Sequence, residues 1–215
     1  MRTYAREPIN GLTHLAGAIL SFAGLLALVI KTTLTSPSIV DITAVIIFGI
    51  SMVLLYSASA TYHLVVASDK VISFLRKIDH SMIFILIAGS YTPFCLISLE
   101  GPKGWITFAI VSIIAICGVV FKMIWFNCPR WISTSVYIGM GWISVFIIIP
   151  LYKSIALGGV QLLLAGGILY TIGAVIYGLK PKYLKFKNLG YHEIFHIFIL
   201  LGSLCHFIAV YKYVI

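Results

Sequence analysis

Two histidines four apart bracket a glutamate in "HEIFH", as His192, Glu193 and His196. On a helix, positions i and i+4 share one face with side chains about 6 Å apart, so both imidazoles can reach one ion. The pattern is the HExxH of zinc proteases, in which the glutamate serves as base. Elsewhere "SATYH" sets Ser59 one turn before His63, and "RKIDH" sets Asp79 beside His80. A third imidazole from His63 would make an open site of three histidines. That is the catalytic arrangement of zinc, because structural sites are closed by four protein ligands. Zinc also lowers the pKa of a water ligand toward about 7. Asp79 could hold that water or take its proton, and Ser59 could bond the water or an oxyanion. Simpler roles stand beside these: a helix N-cap for Asp79 and local backbone bonding for Ser59.

The elements that must position these groups follow from composition. Of 215 residues, 61% are hydrophobic and only 10% charged. A soluble domain carries about 25% charged residues. The chain needs a bilayer as its solvent. A span takes roughly 20 apolar residues, and seven candidates appear, near 12–30, 42–66, 80–99, 104–123, 131–152, 156–178 and 192–211. The expected fold is an all-α, seven-transmembrane helix bundle forming a single domain over 1–215. The apolar runs are continuous, which excludes the alternating strands of an outer-membrane barrel. The polar "MRTYAREPINGLTH" leads into a run too long for a signal h-region, so it reads as the first span and no cleavable signal is expected. Pro93 should kink the third span. Cys95, Cys117, Cys128 and Cys205 show no paired spacing and read as small buried hydrophobes.

The net charge of +9 suits short loops facing anionic phospholipid headgroups rather than nucleic acid. Eleven of the fifteen basic residues fall in the N-terminus and the loops after spans two, four and six; Lys31, Lys103, Lys153 and Lys212 fall on the other side. The positive-inside rule then places the N-terminus in the cytoplasm and the C-terminus outside. In that topology His14, His63, His80, His192 and His196 collect at the inner face. His206 lies about 15 Å further along its helix than His196 and cannot easily join them. Asp79 and Ser59 share the inner level. Ionisable residues at membrane depth usually face a bundle interior or a cavity. Span ends are nonetheless where polar residues cost least.

This constellation resembles the hemolysin III family, the bacterial branch of the progestin and adipoQ receptor superfamily. The matching stretches are "EPINGLTH" (7–14), "SATYH" (59–63), "RKIDHSMIFILIAGSYTPF" (76–94) and "HEIFHIFILLGSLCHF" (192–207). The resemblance implies a bacterial inner-membrane, multi-pass protein with zinc near the cytoplasmic side. It implies His63, His192 and His196 as metal ligands, with Ser59 and Asp79 near the metal-bound water. Relatives in the superfamily are linked to hydrolysis of lipid amides, and some bacterial members to membrane-lipid homeostasis.

Four functions compete. A zinc-dependent hydrolase of lipid-like amides or esters would use Asp79 as base and a membrane lipid as substrate. A sensor or lipid-homeostasis protein would use zinc only as a staple between spans two and seven. A cytolytic pore would need charged rings that the spans lack. A protease would use Glu193, which sits about 100° around the helix from His192 and about 60° from His196; a cap or loop-facing role suits it equally. His14 and Asn10 read as caps that could also close the bundle near the site. His80 points away from Asp79 and is no ligand. The basic and apolar alternation of "KPKYLKFK" (180–187) should snorkel into headgroups or set topology. Trp105, Trp125, Trp131 and Trp142 read mostly as interfacial anchors at span ends.

Overall fold

The computed structural model describes residues 5–99, 101–181 and 189–215. Among the described residues, seven helices are long and apolar enough to cross a membrane: α1 Pro8–Thr35, α2 Ile39–Leu64, α3 Asp69–Ser98, α4 Pro102–Ile124, α5 Arg130–Ser154, α6 Leu157–Leu179 and α7 Tyr191–Val214. In lipid every backbone N–H and C=O must find a partner within the chain, and a helix meets that demand inside each segment. Short connections set the boundaries. Gly101 takes φ 71°, a left-handed conformation that glycine adopts without a Cβ clash, and Pro102 then opens α4. Lys180 ends α6 at φ 50°.

Neighbours in sequence lie against each other, α1 on α2, α2 on α3, α3 on α4 and α6 on α7, while α7 returns to α1 and α5 rests on α6 and α3. The most buried span is α3. Outward-facing side chains such as Leu20, Leu34 and Ile124 stay exposed, as a lipid-facing surface requires. Tight helix contact uses small residues. A Cβ on Gly202 of α7 would stand 2.7 Å from the Tyr170 ring of α6.

Two spans differ from the sequence expectation. The third begins at Asp69 rather than near residue 80, because the amphipathic turn "DKVISFLRK" continues the helix below the apolar run. Asp79 therefore sits ten residues inside α3 and is not an N-cap. The fifth is interrupted, with a 3-10 turn at Ile143–Ile147 between two α segments. At Pro93 the α3 helix does not end but passes into a π-helical turn, Phe94–Ser98. The Leu99 N–H closes that turn on the Phe94 carbonyl (3.1 Å), five residues back. Trp142 lies mid-span and donates from Nε1 to Thr171 Oγ1 (3.0 Å), so it is no end anchor. Cys117 is exposed, unlike buried Cys95 and Cys128, and all four cysteines are free. Of the "KPKYLKFK" stretch, 182–187 lie outside the described residues.

Candidate metal centre

The i, i+4 spacing puts His192 and His196 on one face of the first turns of α7, and their Nε2 atoms stand 3.1 Å apart. His63, at the end of α2, meets both rings edge-on, with centroids at 5.0 and 4.9 Å. One ligand nitrogen from each of the three lies within 4.8 Å of the others. His63 and His196 are 0% and 2% exposed. Two nitrogens bound tetrahedrally to one zinc at about 2.0 Å would be about 3.3 Å apart. The α7 pair already has that separation, and the full set of three is looser.

These converging rings are also poorly satisfied for a packed polar core. Nε2 of His63, Nδ1 of His196 and both ring nitrogens of His14 are buried without a hydrogen-bond partner. Each such group costs about 1–3 kcal/mol when left unpaired. A core built for packing alone would not gather them. Neutral imidazole is a good ligand for zinc among several transition metals, so the residues present fit a metal ion.

His63 is held from behind. Its Nδ1 is 2.6 Å from Glu7 Oε2, which leaves Nε2 toward the cluster. A carboxylate behind a ligand imidazole fixes its tautomer and raises its basicity. The Glu7 backbone N–H also donates to the His63 carbonyl (2.9 Å). Burial by itself would raise the Glu7 pKa. His63, the Asn10 amide and Arg6 together outweigh burial and hold the carboxyl below its ordinary value. Asn10 Nδ2 donates to Glu7 Oε2 (3.2 Å) and to Glu193 Oε1 (3.1 Å), tying the start of α1 to the start of α7. Glu7, Asn10 and His14 fall at i, i+3 and i+7. That single-face signature was readable in "EPINGLTH", yet sequence reasoning passed over Glu7.

Glu193 Oε2 accepts from the Gly190 N–H (2.7 Å) and so caps the start of α7. Of the roles open to it in sequence, capping is the one observed. His14 is not a surface cap: it is 3% exposed and stacks on His196 at 3.6 Å between centroids. His80, discounted as a ligand, is the neighbour of Asp79, with Nδ1 3.4 Å from Asp79 Oδ2. The same Nδ1 lies 2.9 Å from the Arg76 carbonyl, and Nε2 lies 3.1 Å from Tyr177 Oη. The pattern fixes Nδ1 as the donor nitrogen.

A cavity of about 340 Å³ opens beside the cluster, and its wall includes His192, His196, Asp79 and Ser59 at one end and His206 at the other. That volume lies in the range of small-molecule sites. The structure thus brings all five sequence candidates to one region, with His63 in contact with the two α7 histidines. It keeps His206 apart, where Nε2 faces the Leu163 carbonyl (3.2 Å).

Residues 2–207 match the model of the family described as Haemolysin-III related. The chain belongs to the haemolysin III family. It is 43% identical to "Hemolysin-3" of Bacillus cereus over 100% of its own length and 95% of that protein. It is 39% identical to the "Hemolysin-3 homolog" of Bacillus subtilis (strain 168), over 99% and 96%. It is 24% identical to the human "Monocyte to macrophage differentiation factor", over 78% and 68%. This haemolysin III protein is thus a multi-pass membrane protein with bacterial relatives and a buried three-histidine cluster able to hold a metal ion.

Proposed function

We propose that this haemolysin III protein is a zinc-dependent hydrolase of lipid-like amides or esters, acting at the cytoplasmic side of a bacterial inner membrane. One observation carries the reading: three imidazoles, two of them with a buried, unpartnered nitrogen, converge at the end of a cavity that also carries a carboxylate. His63, His192 and His196 would hold the ion. Zinc supplies Lewis-acid polarisation of a carbonyl and activation of water. Asp79 takes the proton from the attacking water as its oxygen bonds to the carbonyl carbon. It returns that proton to the leaving nitrogen or oxygen as the C–N or C–O bond breaks. His80 steadies the Asp79 carboxylate, and Ser59 donates to the oxygen on which negative charge develops. The apolar cavity wall accommodates the acyl chain and excludes water. The cytoplasmic placement rests on the excess of basic residues at the histidine end.

The test is turnover of a short-chain lipid amide by detergent-purified protein, wild type beside Asp79→Asn. Hydrolysis by the wild type and loss in the variant, with metal retained, supports the assignment. Equal turnover in both overturns it.

A second reading draws on the origin of the histidines, from α2 and α7. Zinc bridging helices so far apart in sequence would staple the bundle, and the protein would serve membrane-lipid homeostasis as a non-enzymatic sensor. Chelation that melts the bundle in a protein consuming no lipid favours this reading. The names of the Bacillus relatives raise cytolysis as a third. Dye leakage from liposomes holding the purified protein would support it, and intact liposomes would not.

A further inference from the structure

Three cations line the histidine end of the same cavity: Arg76 from α3, Lys122 from α4 and Arg130 from α5. Lys122 is 3% exposed. A lysine placed only to set orientation would snorkel its amine out to the interface. Lys122 turns inward, donating from Nζ to Ser133 Oγ and to Cys128 Sγ (3.6 Å). Among the described residues, none of the three cations forms an ion pair. Aromatic faces hold the two guanidiniums, Arg76 at 5.2 Å from the Phe126 centroid and Arg130 at 5.5 Å from that of Tyr177. A face-on ring stabilises the charge and leaves the in-plane N–H groups free to donate. Nη1 of Arg130 is buried with no partner.

The charges here do not balance. Among the described residues, Asp79 is the one acidic residue lining the cavity, and it already has His80 beside it. Two positive charges are left over at a wall where Lys122 is buried and Arg76 and Arg130 are half-buried, and an unpaired charge taken out of water is costly. A neutral amide would not require them, and a carboxylate would answer only one. A phosphate monoester carries about two negative charges and three acceptor oxygens, and guanidinium forks match it in geometry.

We propose that Arg76, Lys122 and Arg130 form a phosphate-binding site beside the histidine cluster, so that the lipid taken up by this cavity bears a phosphate on its headgroup. The inference rests on the cavity being a lipid site, as proposed above, but needs no turnover.

The experiment is ligand binding to the detergent-purified full chain, read by intrinsic fluorescence, since Trp142 lies on the cavity wall. The probes are dihexanoyl phosphatidic acid, inorganic phosphate and dihexanoylglycerol. The phosphatidic acid should bind at least about tenfold more tightly than the diacylglycerol. Arg130→Gln and Arg76→Gln should each weaken it about tenfold, and Lys153→Gln, at the far end of α5, should not. Wild-type protein stripped of metal with a chelator should bind it as the untreated protein does. Equal affinity for the two lipids, or unchanged binding in both arginine variants, overturns the site. Binding lost on chelation and regained when zinc is added back also overturns it, assigning the anion to the metal instead. Inorganic phosphate binding as tightly as the phosphatidic acid overturns the lipid headgroup as the source. Binding without hydrolysis of any lipid would retire the hydrolase alone. Hydrolysis of a neutral amide without phosphatidic acid binding would retire the phosphate site alone.

Discussion

The two ends of the cavity each hold buried histidine, and they are built differently. At one end His63, His192 and His196 face one another, with His14 stacked behind and Glu7 bonded to the far side of His63. At the other His206 stands alone. Its Nε2 faces a backbone carbonyl, its ring meets Tyr170 edge-on, and Ser203 one turn away bridges the Tyr56 and Tyr170 hydroxyls. Each end leaves some ring nitrogen unpartnered, so burial and an unsatisfied nitrogen do not make a ligand. Convergence does: three imidazoles from two helices share one small volume, whereas His206 shares its surroundings with hydroxyls and a carbonyl.

That contrast can be broken or sharpened by substitution. The largest effect is expected for Asp79→Asn, which should reduce lipid-amide turnover to background while metal content stays at the wild-type level; activity and metal assays on the same preparation check both. Glu7→Gln comes next. It removes the charge behind His63 and should weaken metal affinity about 10- to 100-fold, as loss of such partners does elsewhere; competition with a chelating dye measures it. The pH dependence has a definite sign. The folded-state pKa of Glu7 is depressed, so its stabilising contribution is present above its ordinary carboxyl pKa and fades as pH falls through the lower folded value. Wild type should therefore lose an increment of stability in that acidic window that Glu7→Gln lacks, seen by comparing thermal midpoints across pH. Gly202→Ala should cost about 1–3 kcal/mol by forcing the Tyr170 ring aside, read from the thermal midpoint. Glu193→Gln should be mildest. It weakens a cap worth about 1 kcal/mol and should leave turnover within a factor of a few. Abolished turnover there would return Glu193 to the role of base.

Much of this was legible in the residues themselves. Continuous apolar runs fixed seven spans because lipid leaves the backbone few alternatives, and the alternation of basic loops set His63 level with His192 and His196. The start of α3 was not legible. "DKVISFLRK" is too polar for a hydropathy run yet carries apolar residues at helical spacing, so the helix starts eleven residues earlier and Asp79 lies inside it. Contacts between distant segments were also beyond a one-dimensional reading. Nothing local says that Glu7 reaches His63, that His14 stacks on His196, or that Arg76, Lys122 and Arg130 line one cavity. The HExxH pattern misled for the opposite reason. Its glutamate has a nearby use, since the free N–H at the start of α7 takes it as a cap.

The three facing histidines should hold a metal and His206 should not. Elemental analysis of detergent-purified protein, wild type beside His192→Ala and His206→Ala, tests it most directly. About one equivalent of zinc should accompany the wild type and His206→Ala, and none His192→Ala. A metal-free wild type, or equal zinc in His192→Ala, would contradict the account.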